Sequence, residues 1–259
     1  YRWGPDGTAW GGEWLRFDGE LRWQRLAHLE PLVLIGGERA VREPWRVAVA
    51  ALVAAGCPDL LDQLPLATRL EAPLLGQVTD LASSPLWPRA SGAGRLFEAA
   101  GALLGLVSRN DWEGEAAARF EALAASSDPS PPWREVEIDL NAGNTVLPSS
   151  ALLAAAGRRL VDGEDPAAVA AGFHSTFCWL AAEVTTRVAA PTDLPLALGG
   201  GCMVNRLILS GLFNELTQRG FEVLVPKLLP PGDGGLAYGQ AVLGAVSLAR
   251  GVRPELVEE

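Results

Sequence analysis

Cysteine is scarce in this 259-residue chain: Cys57, Cys178 and Cys202 lie far apart and form no CxxC pair. That excludes a disulfide scaffold and argues against a structural zinc site. The two histidines, His28 and His174, make no local HxxxH or HExxH pair. Any metal site must therefore lean on carboxylates or on residues supplied from elsewhere. Positive charge is short as well, with 21 Lys and Arg against 31 Asp and Glu and a net charge of −10. A broad interface with nucleic acid needs a basic stripe, so none is expected. No apolar run approaches the ~20 residues that span a bilayer, and no charged segment followed by an apolar h-region opens the chain. Neither a membrane partner nor a signal peptide is expected, and the sparse cysteine fits a reducing cytoplasm. The chain also lacks an initiator methionine and opens on a turn sequence, Tyr1 to Thr8, so it reads as a piece of a longer protein.

What is present is an alternation of strand and helix patterns with 49% apolar residues, enough for a sizeable core. Residues 9–29 alternate apolar and polar side chains about Asp18-Gly19 and predict a hairpin. From about Pro44 to Ala125 the pattern is helical, with helices predicted over 46–55, 94–105 and 113–123. The segment Ser126–Pro132 reads as a linker, Trp133–Leu140 as a strand, and Asp165 to Ala189 as one long helix started by Asp165-Pro166. His174, on that mostly apolar helix, reads as a core histidine rather than a base.

The end of the chain carries the most chemistry. The run Leu194–Leu198 ends in Gly199-Gly200-Gly201 and passes into Met203–Leu209; Phe221–Val225 ends in Pro230-Pro-Gly-Asp-Gly-Gly235 and passes into Leu236–Leu243. Each is strand, glycines, helix, the arrangement that turns backbone N–H groups and a helix N-terminus toward a phosphate. Two such loops one crossover apart are expected side by side at one end of a parallel pair of strands. Gly199, Gly200, Gly201 and Asn205 are candidates for an adenosine, and Gly234 and Gly235 for its phosphates. Asp233, a carboxylate among phosphate-binding glycines, points to a divalent cation between the two. Glu98 and Glu113, on the two middle helices, are candidates for ribose hydroxyls. The plainer readings are a surface turn for Pro-Gly-Asp-Gly-Gly, a tight strand-to-helix turn for the three glycines, and solvated carboxylates for the two glutamates. Cys202 directly follows the glycines, where a helix N-terminus lowers a thiol pKa; with no base nearby in sequence, packing is the preferred reading.

The runs Leu196–Leu209, Arg219–Leu224 and Pro230–Gln240 resemble the C-terminal domain of the HypF hydrogenase-maturation carbamoyltransferases. So do Gly4–Glu13, Ala27–Leu29, Arg42–Arg46, Gly94–Ala99 and Trp112–Ala117, in order along the whole chain. The resemblance implies an α/β fold of the actin-like ATPase type: two ribonuclease H-like lobes, here with a helical insertion and truncated at the N-terminus. Residues 1–140 would be the remainder of the first lobe with the insertion, and 141–259 the second lobe with the nucleotide loops. It further implies ATP and carbamoyl-adenylate as ligands, with carbamoyl phosphate and ATP handled by domains absent here. The implied acceptor is the C-terminal cysteine of the partner HypE, whose thiocarbamate becomes a cyanide ligand. By position Asp233 would hold the metal beside the phosphate, completed in the family by an upstream His-x-x-x-His pair and an aspartate. One departure stands out: Gly-Gly-Gly-Cys-Met-Val replaces the usual Ser-Gly-Gly-Val-Phe-Gln type. The alternatives are a small-molecule O-carbamoyltransferase of antibiotic or nodulation-factor tailoring, and a non-catalytic nucleotide-binding scaffold.

Overall fold

The computed structural model describes residues 2–18, 20–138, 145–189 and 194–256. The predicted hairpin is present: β3 (Glu13–Phe17) and β4 (Arg22–Leu29) pair antiparallel, with a register shift between Trp14 and Leu15. The chain's opening is more than a turn, because β1 (Arg2–Trp3) pairs antiparallel with β2 (Ala9–Trp10). β5 (Leu32–Val33) and β6 (Arg89–Ala90) extend that pair into a sheet ordered β1-β2-β6-β5. In the other sheet β4 is central. β3 lies along it antiparallel, and two short strands, β7 (Thr145–Leu147) and β10 (Glu255–Leu256), pair with it in parallel. β8 (Leu196–Ala197) and β9 (Val223–Leu224) form a separate parallel pair.

Nine α-helices are described: α1 (Glu38–Arg42), α2 (Trp45–Ala54), α3 (Ala72–Leu81), α4 (Ala93–Leu103), α5 (Glu115–Ala124), α6 (Ser149–Val161), α7 (Pro166–Val188), α8 (Arg206–Gln218) and α9 (Leu236–Arg250). Asp165 caps α7 as its sequence suggests, accepting from the Ala167 and Ala168 N–H groups. α7 is the one described helix long and apolar enough to cross a membrane, and 72% of its apolar window is buried inside the chain, as in a core helix. Its Phe173 and Phe177 meet Phe97 of α4 edge-on, at centroid distances of 5.4 and 5.0 Å, and Phe120 of α5 closes the cluster on Phe173 at 5.3 Å. Edge-to-face packing is the favoured geometry for such rings. α4 and α5 approach so closely that a Cβ on Gly101 would sit 2.4 Å from the Ala116 carbonyl oxygen. No larger residue fits there without parting the helices.

One predicted strand is absent. Residues 133–138 form no ladder, and 139–140, like the expected domain boundary at 140/141, lie outside the described residues. The apolar alternation there has another cause. Trp133, Val136 and Ile138 are buried directly against the helical core, and the Trp133 N–H donates to the Thr176 hydroxyl of α7 at 2.8 Å. Alternating burial imitated a strand where only one face of an irregular segment is covered.

Polar residues near the start of the chain are held by one arginine. Arg25 of β4 pairs with Glu13 Oε2 at 2.5 Å and Asp6 Oδ2 at 2.7 Å and lies 4.1 Å over the Trp10 ring. Asp6 also accepts from Thr8 and Trp10. Burial pushes its carboxyl up, but these hydrogen bonds outweigh it and hold the group at about 2. The sheet edge is thus fixed by charge pairing as well as by apolar contact.

Phe97 is 1% exposed and touches rings on two other helices. Phe97→Ala is expected to destabilise the chain by about 3–5 kcal/mol, measured by urea unfolding at neutral pH. A loss below about 1 kcal/mol would mean that the ring cluster does not organise the core.

Candidate functional site

The two glycine turns meet. β8 and β9 run parallel, with the Leu198 N–H donating to the Leu224 carbonyl at 2.9 Å where both strands end. Beyond them the Gly200 N–H donates to the Pro231 carbonyl at 2.7 Å, tying the first turn to the second. Gly232 abuts the first turn as well: a Cβ there would lie 3.2 Å from the Gly201 Cα. Gly200 has φ 97° and ψ 162°, an orientation that only glycine adopts without strain.

The glycines are not equivalent. An added Cβ at Gly199, Gly200 or Gly201 meets nothing within 4 Å, so this turn faces open space along its length. A Cβ added at Gly235 would lie 2.6 Å from the Pro230 carbonyl oxygen and one at Gly234 3.0 Å from the Pro230 ring, so their small size is required by the fold of the loop. Asp233 starts the short 3-10 turn Asp233–Gly235 and is exposed. Among the described residues no group of three or more His, Cys, Asp or Glu comes together that could hold a metal ion. Asp233 could supply one ligand; the described residues do not complete a set around it.

Asn205 acts within the protein. Its Oδ1 accepts from the Leu207 and Ile208 N–H groups, both at 3.0 Å, capping α8. Its Nδ2 lies 3.2 Å from His174 Nε2, while His174 Nδ1 lies 2.7 Å from the Ala170 carbonyl oxygen. A carbonyl only accepts, so Nδ1 carries the proton and Nε2 accepts from Asn205. His174 is also stacked on Phe120, with centroids 5.1 Å apart. Burial lowers it to about 4, against a weaker opposing pull from the Ala170 carbonyl. The α8 N-terminus is further tied to α5 through Glu121, which accepts from the Arg206 N–H at 2.8 Å.

Glu98 departs from the surface reading: it is 1% exposed. Its Oε2 lies 2.5 Å from Arg95 Nη1 in an ion pair one helical turn apart, and its Oε1 accepts from Asn110 Nδ2 at 3.1 Å. Burial raises its pKa, opposed by the Arg95 guanidinium, the Gly114 N–H and Asn110, while nearby Glu113 pushes it up further. Glu113 itself is exposed and sits in the turn before α5 rather than on a helix. The Glu98–Arg95 pair also lies within electrostatic reach of Cys202, the residue after the three glycines. Burial pushes the Cys202 thiol up to about 11, with Glu98 adding in the same direction and Arg95 opposing. Cys202 is therefore a packed thiol at neutral pH and not a nucleophile.

The fold thus joins Gly199–Gly201 to the Asp233–Gly235 turn, and separately brings Glu98 near Glu113, with Cys202 within electrostatic reach of Glu98. Arg95 and Asn110 sit with Glu98 and carry no motif. The i,i+3 spacing of Arg95 and Glu98 was their one sequence signal, and it does not reveal burial. Asn110 ties the α4–α5 turn together, accepting from the Ala116 N–H and donating to the Val41 carbonyl and Glu98.

Comparison with known proteins is specific. Residues 2–240 match the family described as carbamoyltransferase, Kae1-like domain, second subdomain. The chain is 42% identical over 245 residues to the carbamoyltransferase HypF of Rhizobium leguminosarum bv. viciae, across 92% of this chain and 30% of that protein. It is 40% identical over 248 residues to the HypF of Rhodobacter capsulatus, across 95% of this chain and 31% of that protein. A crystal structure of full-length HypF in the phosphate- and nucleotide-bound form aligns with a TM-score of 0.80 at 27% identity, over 95% of this chain and 32% of its own. The HypF of T. kodakarensis aligns with the same TM-score at 22% identity, which shows the shared fold. The chain spans just under a third of the length of the curated relatives it matches most strongly.

His174 gives this region a pH signature. Its folded pKa is about 4 against 6.5 for the free group. Below 6.5 the unfolded chain takes up a proton that the folded chain refuses until about pH 4. Stability is therefore full above 6.5 and is lost as pH falls toward 4, by on the order of 3 kcal/mol. Comparing urea unfolding of the native chain and His174→Gln at pH 7 and pH 4.5 should show the native chain losing more. Equal losses would mean that His174 is not held neutral.

Proposed function

Since the chain belongs to the HypF carbamoyltransferase family, we propose that its paired glycine turns form the adenylate-facing part of a carbamoyl-transfer site. The reaction is transfer of the carbamoyl group of carbamoyl-adenylate to the C-terminal cysteine thiolate of a HypE-like acceptor protein. Its product, a thiocarbamate, is the precursor of the cyanide ligand of a nickel–iron hydrogenase. The observation that carries this reading is the bond from Gly200 to Pro231, which locks the two turns together at the ends of parallel strands. The phosphate- and nucleotide-bound state of the solved HypF relative supports it.

The chemistry asks little of side chains. The acceptor sulfur attacks the carbamoyl carbon, the bond from that carbon to the adenylate oxygen breaks, and its electron pair leaves with AMP. A thiolate needs no general base, so the site must supply position and stabilise the leaving phosphate. In this reading the open turn Gly199–Gly201 and the Asp233–Gly235 turn, which Gly234 and Gly235 keep compact, face the nucleotide. The N-termini of α8 and α9 then bias the region toward an anion. Exposed Glu113 accepts from the ribose hydroxyls, while Glu98, buried and held by Arg95 and Asn110, positions the α4–α5 turn that carries Glu113 rather than meeting the ribose itself. Asn205 aims α8 by capping it. His174 and Cys202 take no chemical part, since one is a neutral core group and the other a half-buried cysteine kept in its thiol form. A divalent ion at Asp233 would neutralise phosphate charge, with further ligands from outside the described residues.

Calorimetric titration of the chain with ATP and Mg²⁺ tests the nucleotide part. Binding is expected, weakened at least about tenfold by Asp233→Ala and by Glu98→Gln, or about 1.4 kcal/mol each. No binding to the native chain would leave only the scaffold reading. For the acceptor, the full-length protein is incubated with carbamoyl phosphate, ATP and a HypE-like protein. Carbamoylation should appear on the acceptor's terminal cysteine by mass spectrometry, and an unmodified acceptor would sink the hydrogenase assignment.

A further inference from the structure

The turn between α4 and α5 is gripped by three polar side chains that spend their hydrogen bonds inside the protein. Asn110 Nδ2 donates to the Val41 carbonyl and to Glu98 Oε1, and its Oδ1 accepts from the Ala116 N–H. Its own N–H donates to the Arg42 carbonyl at 2.7 Å. Glu98 also accepts from the Gly114 N–H. Glu115 is 2% exposed; its Oε2 accepts from the Asp111 N–H at 2.7 Å and its Oε1 pairs with Arg119 at 2.7 Å. Gly114, with φ 81°, is the left-handed residue through which the turn enters α5.

Two carboxylates of the same turn spend nothing. Among the described residues neither Asp111 nor Glu113 makes a side-chain hydrogen bond or ion pair. Of the two, Glu113 is the one whose charge reaches Glu98. The turn also has a fixed relation to the glycines. Roughly 10 Å along α5 from Gly114, Glu121 accepts from the Arg206 N–H at the start of α8. Withdrawing polar groups from water is costly unless each is paired, and here that cost is concentrated on holding one short turn. Such a supporting shell keeps a binding group within about 0.5 Å of its working geometry.

We propose that Glu115 and Asn110 are positioning residues for nucleotide recognition. With Glu98 they hold Glu113 ready for the ribose hydroxyls, so that the site selects a ribonucleotide over one lacking those hydroxyls. A carboxylate on a loose turn would surrender to ordering entropy much of what the contact gains, and a preorganised one does not. The inference rests on the nucleotide reading of the paired turns.

Calorimetric titration with ATP and with dideoxy-ATP, which lacks both ribose hydroxyls, separates positioning from a merely structural role. With Mg²⁺ present, the native chain should bind ATP about tenfold more tightly than dideoxy-ATP, as expected of hydrogen bonds to a charged group. Glu115→Ala should remove that preference and leave the dideoxy-ATP affinity unchanged, and Asn110→Ala should do the same. Glu115→Gln keeps an acceptor for the Asp111 N–H and should restore the preference. Asp111→Asn should alter neither affinity. Amide exchange over 166–188 checks that each variant is folded; if the alanine variants are not, Glu115→Asp, whose reach is one methylene shorter, should lose the preference in their place. A preference that survives these changes would overturn the proposal, as would an equal loss of both nucleotides. If the native chain binds both nucleotides equally, the ribose contact at Glu113 falls and the inference with it. If it binds neither, the nucleotide reading itself fails.

Discussion

The contact on which the functional region depends is the buried hydrogen-bond relay Ala170–His174–Asn205. His174 Nδ1 is committed to a carbonyl of its own helix, which leaves Nε2 as an acceptor for Asn205. Asn205 Oδ1 in turn caps α8. The relay therefore links the aromatic core of α4, α5 and α7 to the N-cap of α8, four residues after the last glycine of the turn. Every group in it has its partner, which is the condition under which a buried polar chain rigidifies its surroundings instead of weakening them. Burial keeps the imidazole neutral, so the link is intact at neutral pH.

A second buried polar element stands on α4. Glu98 is sheltered with Arg95 and Asn110, and its charge reaches Cys202 at the base of the glycines. Burying an ion pair carries a desolvation cost that the mutual attraction only partly returns. The contrast with the Asp6–Arg25–Glu13 group is instructive. There the carboxylates surround the arginine, accept from backbone and indole N–H groups, and finish as a staple between the β1–β2 hairpin and the β3–β4 pair.

Much of this was legible beforehand. Helical periodicity located α2, α4, α5 and α7 to within a few residues, because long amphipathic or apolar runs have few other solutions. Asp18-Gly19 marked the hairpin, and strand–glycine–helix spacing brought the two turns together. The segment 133–138 misled because burial of alternate residues against α7 has the period of a strand without its ladder. For Glu98 the sequence offered a ribose contact or a solvated carboxylate, and nothing local announces its burial, which goes with Asn110, twelve residues on, and with the closeness of α4 and α5 at Gly101. α9 gave the opposite lesson, since its composition is that of a buried helix and the described residues leave it exposed.

The sequence by itself determined the local elements, the pairing of two glycine turns and membership of the carbamoyltransferase family, since all of these rest on residue type and spacing. Only the tertiary structure decided which polar groups are withdrawn from water. Asn205 became a cap, His174 a neutral link, Cys202 an inert thiol and Glu98 a buried carboxylate, while Asp233 stayed exposed. Each of these outcomes depends on desolvation and on partners distant along the chain, and neither quantity is written in a residue's immediate neighbours.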